Sequence, residues 1–351
     1  EVLGFAARAF PRERSGWSGN PDPCGCLYSI TVAGAVPDCH ARTRDGSPAS
    51  RSSACADSPQ AQRQYACCLA DVKVTPTATL PAFAAWHDEM ANGYDNYLAT
   101  AIEAAERAAG VIREGYSGGF DVRIKADATP VTDVDEAAET VIREVLTGAF
   151  PGHAIYGEEQ GRIGDDDEFL WLVDPIDGTK AFVRGYPFFS TQIALMHEGD
   201  LVLGVSSAPL YGEVAWARQD GGAFLNGERV HASDVDRLES AAISLGNVHT
   251  LAGDARWADL GRIVARCGRI RGYGDFLHYH LLASGRIDAV IESDVNILDI
   301  AALSVIVTEA GGVFTDIDGG RLRLDTRSVL AGNAAIYERI SALLHPVTPN
   351  R

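Results

Sequence analysis

An unbroken apolar run, Phe169-Leu170-Trp171-Leu172-Val173, passes directly into Asp174-Pro175-Ile176-Asp177-Gly178-Thr179. A run this apolar, with no polar alternation, reads as a buried strand, so the rest of the chain must fold around it. Pro175 cannot donate to a sheet ladder; the strand is expected to give way to a turn there, with Asp174 held extended. Two carboxylates three residues apart thus sit at one strand end. Hard cations such as magnesium prefer oxygen ligands, and carboxylates plus a backbone carbonyl supply them. Gly178 permits the close backbone approach that a phosphate needs beside Thr179. An Asx-rich turn closing a core strand has the same composition, and the hexapeptide alone does not choose between the two.

Other acids stand at similar junctions. The short apolar stretch Ala154-Ile155-Tyr156 ends in Gly157-Glu158-Glu159, where Glu158 is the acid to watch, while Asp165-Asp166-Asp167-Glu168 reads as a solvated loop. Thr132-Asp133-Val134-Asp135 resembles a capping box ahead of a helix with Val141, Ile142 and Val145 on its apolar face, which gives Asp135 a structural reading. Asp299 opens a helix with Ala302, Ile306 and Ala310, stopped by Gly311-Gly312, and its structural reading is N-terminal capping. Glu292 ends the strand Ile287-Asp288-Ala289-Val290-Ile291, where a solvated strand end is the plain alternative.

In this order Gly157-Glu158-Glu159, Asp174 to Thr179, and Asp299-Ile300-Ala301-Ala302 through Glu309-Ala310-Gly311-Gly312 resemble the motifs of the inositol monophosphatase superfamily. The resemblance runs from about Tyr94 to Leu344 and departs at Leu298, where many relatives place Trp. It implies an α/β fold of the layered αβαβα sugar-phosphatase type and metal ligation by Glu158, Asp174, the carbonyl of Ile176, Asp177 and Asp299. It further implies that Thr179 and Asp135 polarise the attacking water, with Glu158 in the catalytic set, and that two or three Mg2+ ions serve each site. The chemistry accounts for so many acids: a phosphate monoester is anionic and hydrolyses very slowly, so charge must be neutralised at the attacking and leaving oxygens. Backbone N–H groups of Gly178 and Thr179 would add donors to the phosphate if a short helix begins there.

Arg271-Gly272-Tyr273-Gly274-Asp275-Phe276, with Phe182-Val183-Arg184-Gly185 after Lys180, is similar to the histidinol-phosphate phosphatase branch of that superfamily. Histidinol phosphate carries an ammonium and a titratable imidazole, and Asp275 and Glu292 would suit that cation. Against a neutral polyol an extra buried anion would have no charged partner. For Asp275 the alternative is a helix N-cap after Gly274.

Composition limits the partners. The formal net charge is −18; residues 1–80 hold eight Lys+Arg against seven Asp+Glu, leaving 22 against 41 for the remainder. Such an acidic surface repels a polyanion and excludes nucleic acid as an expected partner, but a small phosphate ester stays compatible because metals supply local positive charge. No apolar run reaches membrane-span length. Six of the seven cysteines precede residue 81, without paired C-x-x-C spacing, and Cys267 alone follows, which fits a reducing cytoplasm. Residues 1–80 also carry seven of the fifteen prolines and no sustained apolar period, so they read as unstructured or as a start-site artefact, with translation beginning between Val72 and Met90.

From residue 81 the pattern changes. Tyr94, Leu98, Ala101, Ala105, Ala108 and Ile112 predict a helix stopping at Gly115; strands follow from Thr191 to Ala217, and Asp220 to Gly227 reads as consecutive hairpin turns. Asp316-Ile317-Asp318-Gly319 reads as one more hairpin turn. His278-Tyr279-His280 puts its imidazoles on different helix faces, so joint metal ligation is not expected, and His87-Asp88-Glu89 lacks a second histidine at zinc-protease spacing. The expected organisation is an N-terminal lobe over 81–235 with the metal motifs and a C-terminal α/β lobe over 236–346 that completes the site. The expected activity is a Mg-dependent phosphomonoesterase on histidinol phosphate, cytoplasmic and homodimeric as the resemblance implies. An inositol monophosphatase, a 3'(2'),5'-bisphosphate nucleotidase, and a non-catalytic binding protein on the same fold stand as alternatives.

Overall fold

In a computed structural model, residues 93–125, 129–165 and 168–345 are described. The expectations for residues 1–80, the early cysteines and His87 lie outside them. The first sheet has eight strands: β3 (Ala154–Gly157), β4 (Gly161–Ile163), β5 (Phe169–Asp177), β6 (Ser190–His197), β7 (Asp200–Ala208), β8 (Glu213–Arg218), β9 (Gly222–Leu225) and β10 (Glu228–Val230). Their order is β10-β9-β8-β7-β6-β5-β3-β4, antiparallel except where β3 runs parallel to β5. A separate ribbon pairs β1 (Val122–Ile124) with β2 (Pro130–Thr132). The second sheet takes β11 (Ala242–Leu245), β12 (Arg269–Arg271), β13 (Ala289–Ser293), β14 (Gly312–Thr315) and β15 (Ser328–Asn333) in the order β12-β11-β13-β15-β14.

Side-chain alternation explains why β5 is apolar throughout. Trp171 and Val173 face one core with Ile193, Leu203 and Val205, covered by α1 (Asp95–Gly118) and α2 (Asp133–Ala149). Leu170 and Leu172 face a second core with Ala194 and the central helices α6 (Asp275–Ala283) and α7 (Ile297–Glu309). Those helices also meet Val290, Val329 and Ala331 of the second sheet, whose far face is closed by α4 (Val248–Gly253), α5 (Trp257–Arg266) and α8 (Ala334–Leu344). The result is an αβαβα layering. The backbone of α7 lies directly on β7: a Cβ at Gly204 would sit 2.6 Å from the Cα of Ala302.

Several local expectations need correction. The strand does not end at Asp174; β5 continues to Asp177 through a register shift, and Pro175 falls inside that irregularity, where no ladder donor is required. Helix α1 runs past Gly115 to Gly118, because Gly115 is a close contact with Val134 rather than a stop. The cap of α7 is Asn296, with Asp299 at its third residue. Glu292 lies within β13 and is 5% exposed, so it is no solvated strand end. Asp316 forms an Asx turn, accepting from the Asp318 and Gly320 N–H groups, in a long connection between β14 and β15 rather than a tight hairpin. The hairpins at Asp220–Gly222 and Asn226–Gly227 form as expected, with positive φ at Asp220, Gly222, Asn226 and Gly227.

Candidate metal and substrate site

The irregularity in β5 is stabilised by side chains. Asp174 accepts the Ile176 N–H at 2.9 Å, Thr191 donates to the Pro175 carbonyl at 2.9 Å, and the single Thr179 hydroxyl hydrogen has the Ile176 carbonyl at 3.0 Å and Asp135 Oδ1 at 3.1 Å as its two acceptors. These bonds satisfy backbone groups that the broken ladder frees, and they fix Asp174 and the Ile176 carbonyl at the same time. Gly178 follows at φ +94, with the Phe188 carbonyl oxygen 2.6 Å from where a Cβ would stand, so only glycine fits. The five-residue helix α3 (Thr179–Val183) then begins at Thr179.

The bend gathers acids from distant elements. Asp174, Asp177 and Asp299 each bring a carboxylate oxygen to within 4.8 Å of the others, with Asp174 buried and the other two half-buried. Burial first, and then Glu158, Asp177 and Asp299, push the Asp174 carboxyl well above the ordinary range; burial followed by Asp299, Asp275 and Glu292 does the same to Asp177. Asp299 is raised to about 7, mainly by burial, against the Asn296 N–H that it accepts at 2.8 Å. Mutually destabilised carboxylates held this close are relieved by a proton or by a cation between them.

Glu158 stands at the margin, outside that trio. Its N–H donates to the Val173 carbonyl, which places it beside Asp174, while its carboxylate accepts from Lys125 Nζ at 2.9 Å. Lys125 also donates to Glu159 at 2.8 Å; burial opposes the ammonium, but these two acids outweigh it and raise the lysine pKa. Burial raises Glu159 to about 7 in spite of Lys125. The turn carrying both glutamates is pinned from α2: Glu139 accepts the Glu159 and Gln160 N–H groups, and Arg143 bonds both Glu139 and the Gly161 carbonyl.

Asp135 is buried at the third residue of α2, in the capping box with Thr132. Its Oδ2 accepts from Thr132, and its Oδ1 accepts from the Thr179 hydroxyl at 3.1 Å. Burial raises its pKa, which the Thr132 bonds partly offset. Next to the acid cluster, Asp177 and Asp299 share a cavity with Asp275, Glu292, Tyr279 and Asn247. Asp275 opens α6 at φ +45 and makes no capping bond, so the N-cap reading is not realised. It lies at the solvent-facing mouth, where burial of its inner side and the Glu292 charge raise it to about 6, with His278 and Lys180 opposing.

Sequence reasoning did not find Lys125, Asn247, Tyr279 or the Glu139–Arg143 clamp. Lys125 follows a three-residue exposed strand with no motif around it, and the others act through contacts distant in sequence. His278 and His280 do sit apart as expected, the first on Glu292 and the second on Glu213 and Ser206.

Residues 94–348 match the inositol monophosphatase family. The histidinol-phosphatase of Mycobacterium tuberculosis is 41% identical over 232 residues, 63% of this chain and 88% of that protein. The inositol monophosphatase of Dictyostelium discoideum is 34% identical over 261 residues, 71% of this chain and 95% of that protein. Among solved structures, the extragenic suppressor protein suhB of Bartonella henselae superposes with a TM-score of 0.66 at 32% identity, covering 72% of this chain and all of that one. The inositol monophosphatase of Anabaena gives 0.64 at 29% identity, covering 74% and 98%. The chain belongs to the inositol monophosphatase family.

Proposed function

We propose that the protein is a Mg2+-dependent phosphomonoesterase that hydrolyses L-histidinol phosphate to L-histidinol and phosphate. The observation that carries the substrate is the cavity in which Asp275 and Glu292 stand beside Asp177 and Asp299. A leaving group entering there meets anions, which favours one with an ammonium. Relatives named histidinol-phosphatase in Mycobacterium tuberculosis and Streptomyces coelicolor support the reading.

The donor set fits a hard cation, since it consists of carboxylates and one carbonyl that burial and mutual repulsion leave in need of positive charge. Asp174, Asp177, Asp299, Glu158 and the Ile176 carbonyl would hold it. Bound there, divalent cations supply the charge neutralisation that an anionic ester requires. The protein's own groups do the rest. With its hydrogen turned to Asp135 and not to the Ile176 carbonyl, the Thr179 hydroxyl oxygen can accept from a water and orient it, and Asp135 can take up the proton passed through Thr179. The Gly178 and Thr179 N–H groups donate to the phosphate, and Asp275 and Glu292 receive the leaving group. A homodimer in the cytoplasm is the working assembly in this reading.

A panel of L-histidinol phosphate, inositol 1-phosphate and an adenosine bisphosphate, each with magnesium, tests it. A kcat/KM for L-histidinol phosphate at least about tenfold above the others is expected, one tenfold step being about 1.4 kcal/mol of transition-state discrimination. A preference for inositol 1-phosphate would replace the substrate, and hydrolysis of none would overturn the phosphatase assignment.

A further inference from the structure

We propose that His278 is a positioning residue: it anchors one oxygen of the Glu292 carboxylate so that the other is presented to the leaving group. The inference rests on the phosphatase reading above and adds to it the part that orients the specificity-bearing acid.

Glu292 projects from β13 and is 5% exposed, close to the charges of Asp177 and Asp299. An unanchored carboxylate there would turn away from like charge. Two donors on α6 prevent this, because Tyr279 donates its hydroxyl at 2.7 Å and His278 Nε2 lies at 3.1 Å, both on Oε2. Among the described residues, the hydrogen bonds made by the Glu292 side chain end on that one oxygen. Oε1 lies over Gly246, where any Cβ would collide with it, next to the cavity-lining Asn247.

The proton on His278 follows from the network. The Glu292 carboxylate can only accept, so the ring hydrogen sits on Nε2, and the Ser244 hydroxyl, which takes the Tyr273 N–H at 3.1 Å, donates to Nδ1 of the neutral ring 3.3 Å away. Ser244, His278 and Tyr279 are all at most 1% exposed, so this chain of donors is sealed from competing water. A backbone amide in the Arg271–Asp275 segment is thereby connected through two side chains to the acid that faces the substrate.

His278→Phe keeps the ring volume and removes the donor, whereas His278→Gln retains an N–H at similar reach. Kinetics with magnesium on L-histidinol phosphate and on phenyl phosphate, whose leaving group offers no comparable donor, separate positioning from packing. For His278→Phe the KM for L-histidinol phosphate should rise about 10- to 100-fold with kcat within about threefold, while phenyl phosphate loses less than about threefold in kcat/KM. His278→Gln should recover most of the KM. Should His278→Phe fail to fold, Ser244→Ala carries the test: it removes the donor to Nδ1 and should raise the same KM by about three- to tenfold. Equal losses on both esters, no recovery by Gln in a variant that melts like wild type, or an unchanged KM in Ser244→Ala would overturn the inference while the phosphatase reading stands. A wild-type protein that hydrolyses neither ester would overturn the phosphatase reading, and this inference with it.

Discussion

Asp135 and Asp299 solve two problems with one carboxylate. Each is the third residue of a helix and closes a capping box, on Thr132 and on Asn296, with one oxygen. That leaves the other oxygen of Asp135 for Thr179, and Asp299 a place in the acid cluster. Capping and site chemistry, which look like rival readings in the sequence, are compatible because a carboxylate has several acceptor sites. Asp177 has no capping duty, so Asp177→Asn should cut magnesium-dependent turnover by about 10²–10³-fold or more. By relieving repulsion it should also raise the melting temperature of the chelated protein by about 2–4 °C, the size of shift that roughly 1 kcal/mol gives in a domain of this length. Turnover at the wild-type rate, or a lowered melting temperature, would contradict the metal-holding role. Asp275→Asn should cost L-histidinol phosphate about 1.5–3 kcal/mol in kcat/KM, the worth of a hydrogen bond to a charged group, and glycerol 2-phosphate much less. Equal losses would mean that Asp275 supports the fold or the cations instead of an ammonium.

At the scale of elements, the site depends on how closely α7 approaches β7. Asp299 reaches Asp174 and Asp177 because the Ala302 backbone rests on Gly204 without an intervening side chain. Gly204→Ala should destabilise the protein by roughly 1–3 kcal/mol through overpacking and raise the magnesium concentration needed for half-maximal activity, since the displaced helix carries Asp299 away. Calorimetry and a magnesium titration check both parts. Helix α2 has a matching role at the other edge, where Glu139 and Arg143 fix the turn that presents Glu158.

For the whole molecule, the concentration of acid at one point gives stability a pH dependence of known sign. Asp299 and Glu159 are raised from ordinary carboxylate values to about 7, burial being the largest cause for each. A raised folded pKa contributes stability below the unfolded value and loses it as pH climbs through the folded value. Chelated protein should therefore lose this contribution between about pH 4 and pH 7. Magnesium should cancel the Asp299 part of the loss, so the melting-temperature difference between loaded and chelated protein should widen across that window, while Glu159, which pairs with Lys125, contributes equally to both forms. His280, which burial lowers, acts in the opposite direction but in both forms, so it drops out of the difference. A gap that stays constant or narrows with pH in thermal melts would show that cations bind elsewhere.

The sequence by itself determined the buried strand, the order of the acid motifs and the Thr132–Asp135 capping box, while it put the α7 cap on Asp299 in place of Asn296. Each depends on neighbours a few residues away: the run from Phe169 to Val173, the Thr132–Asp135 spacing, the glycines at tight turns. Even there it misplaced the strand end, because a proline is tolerated inside a β-bulge whose backbone groups other side chains satisfy. What only the tertiary structure decided is which acids meet. Lys125 against Glu158 and Glu159, His278 and Tyr279 against Glu292, and Asp299 against Asp174 join elements separated by many residues. Burial of Glu292 and the crowding that lifts Asp174 and Asp177 arise from that packing, since desolvation and charge proximity are properties of three-dimensional surroundings and not of sequence spacing.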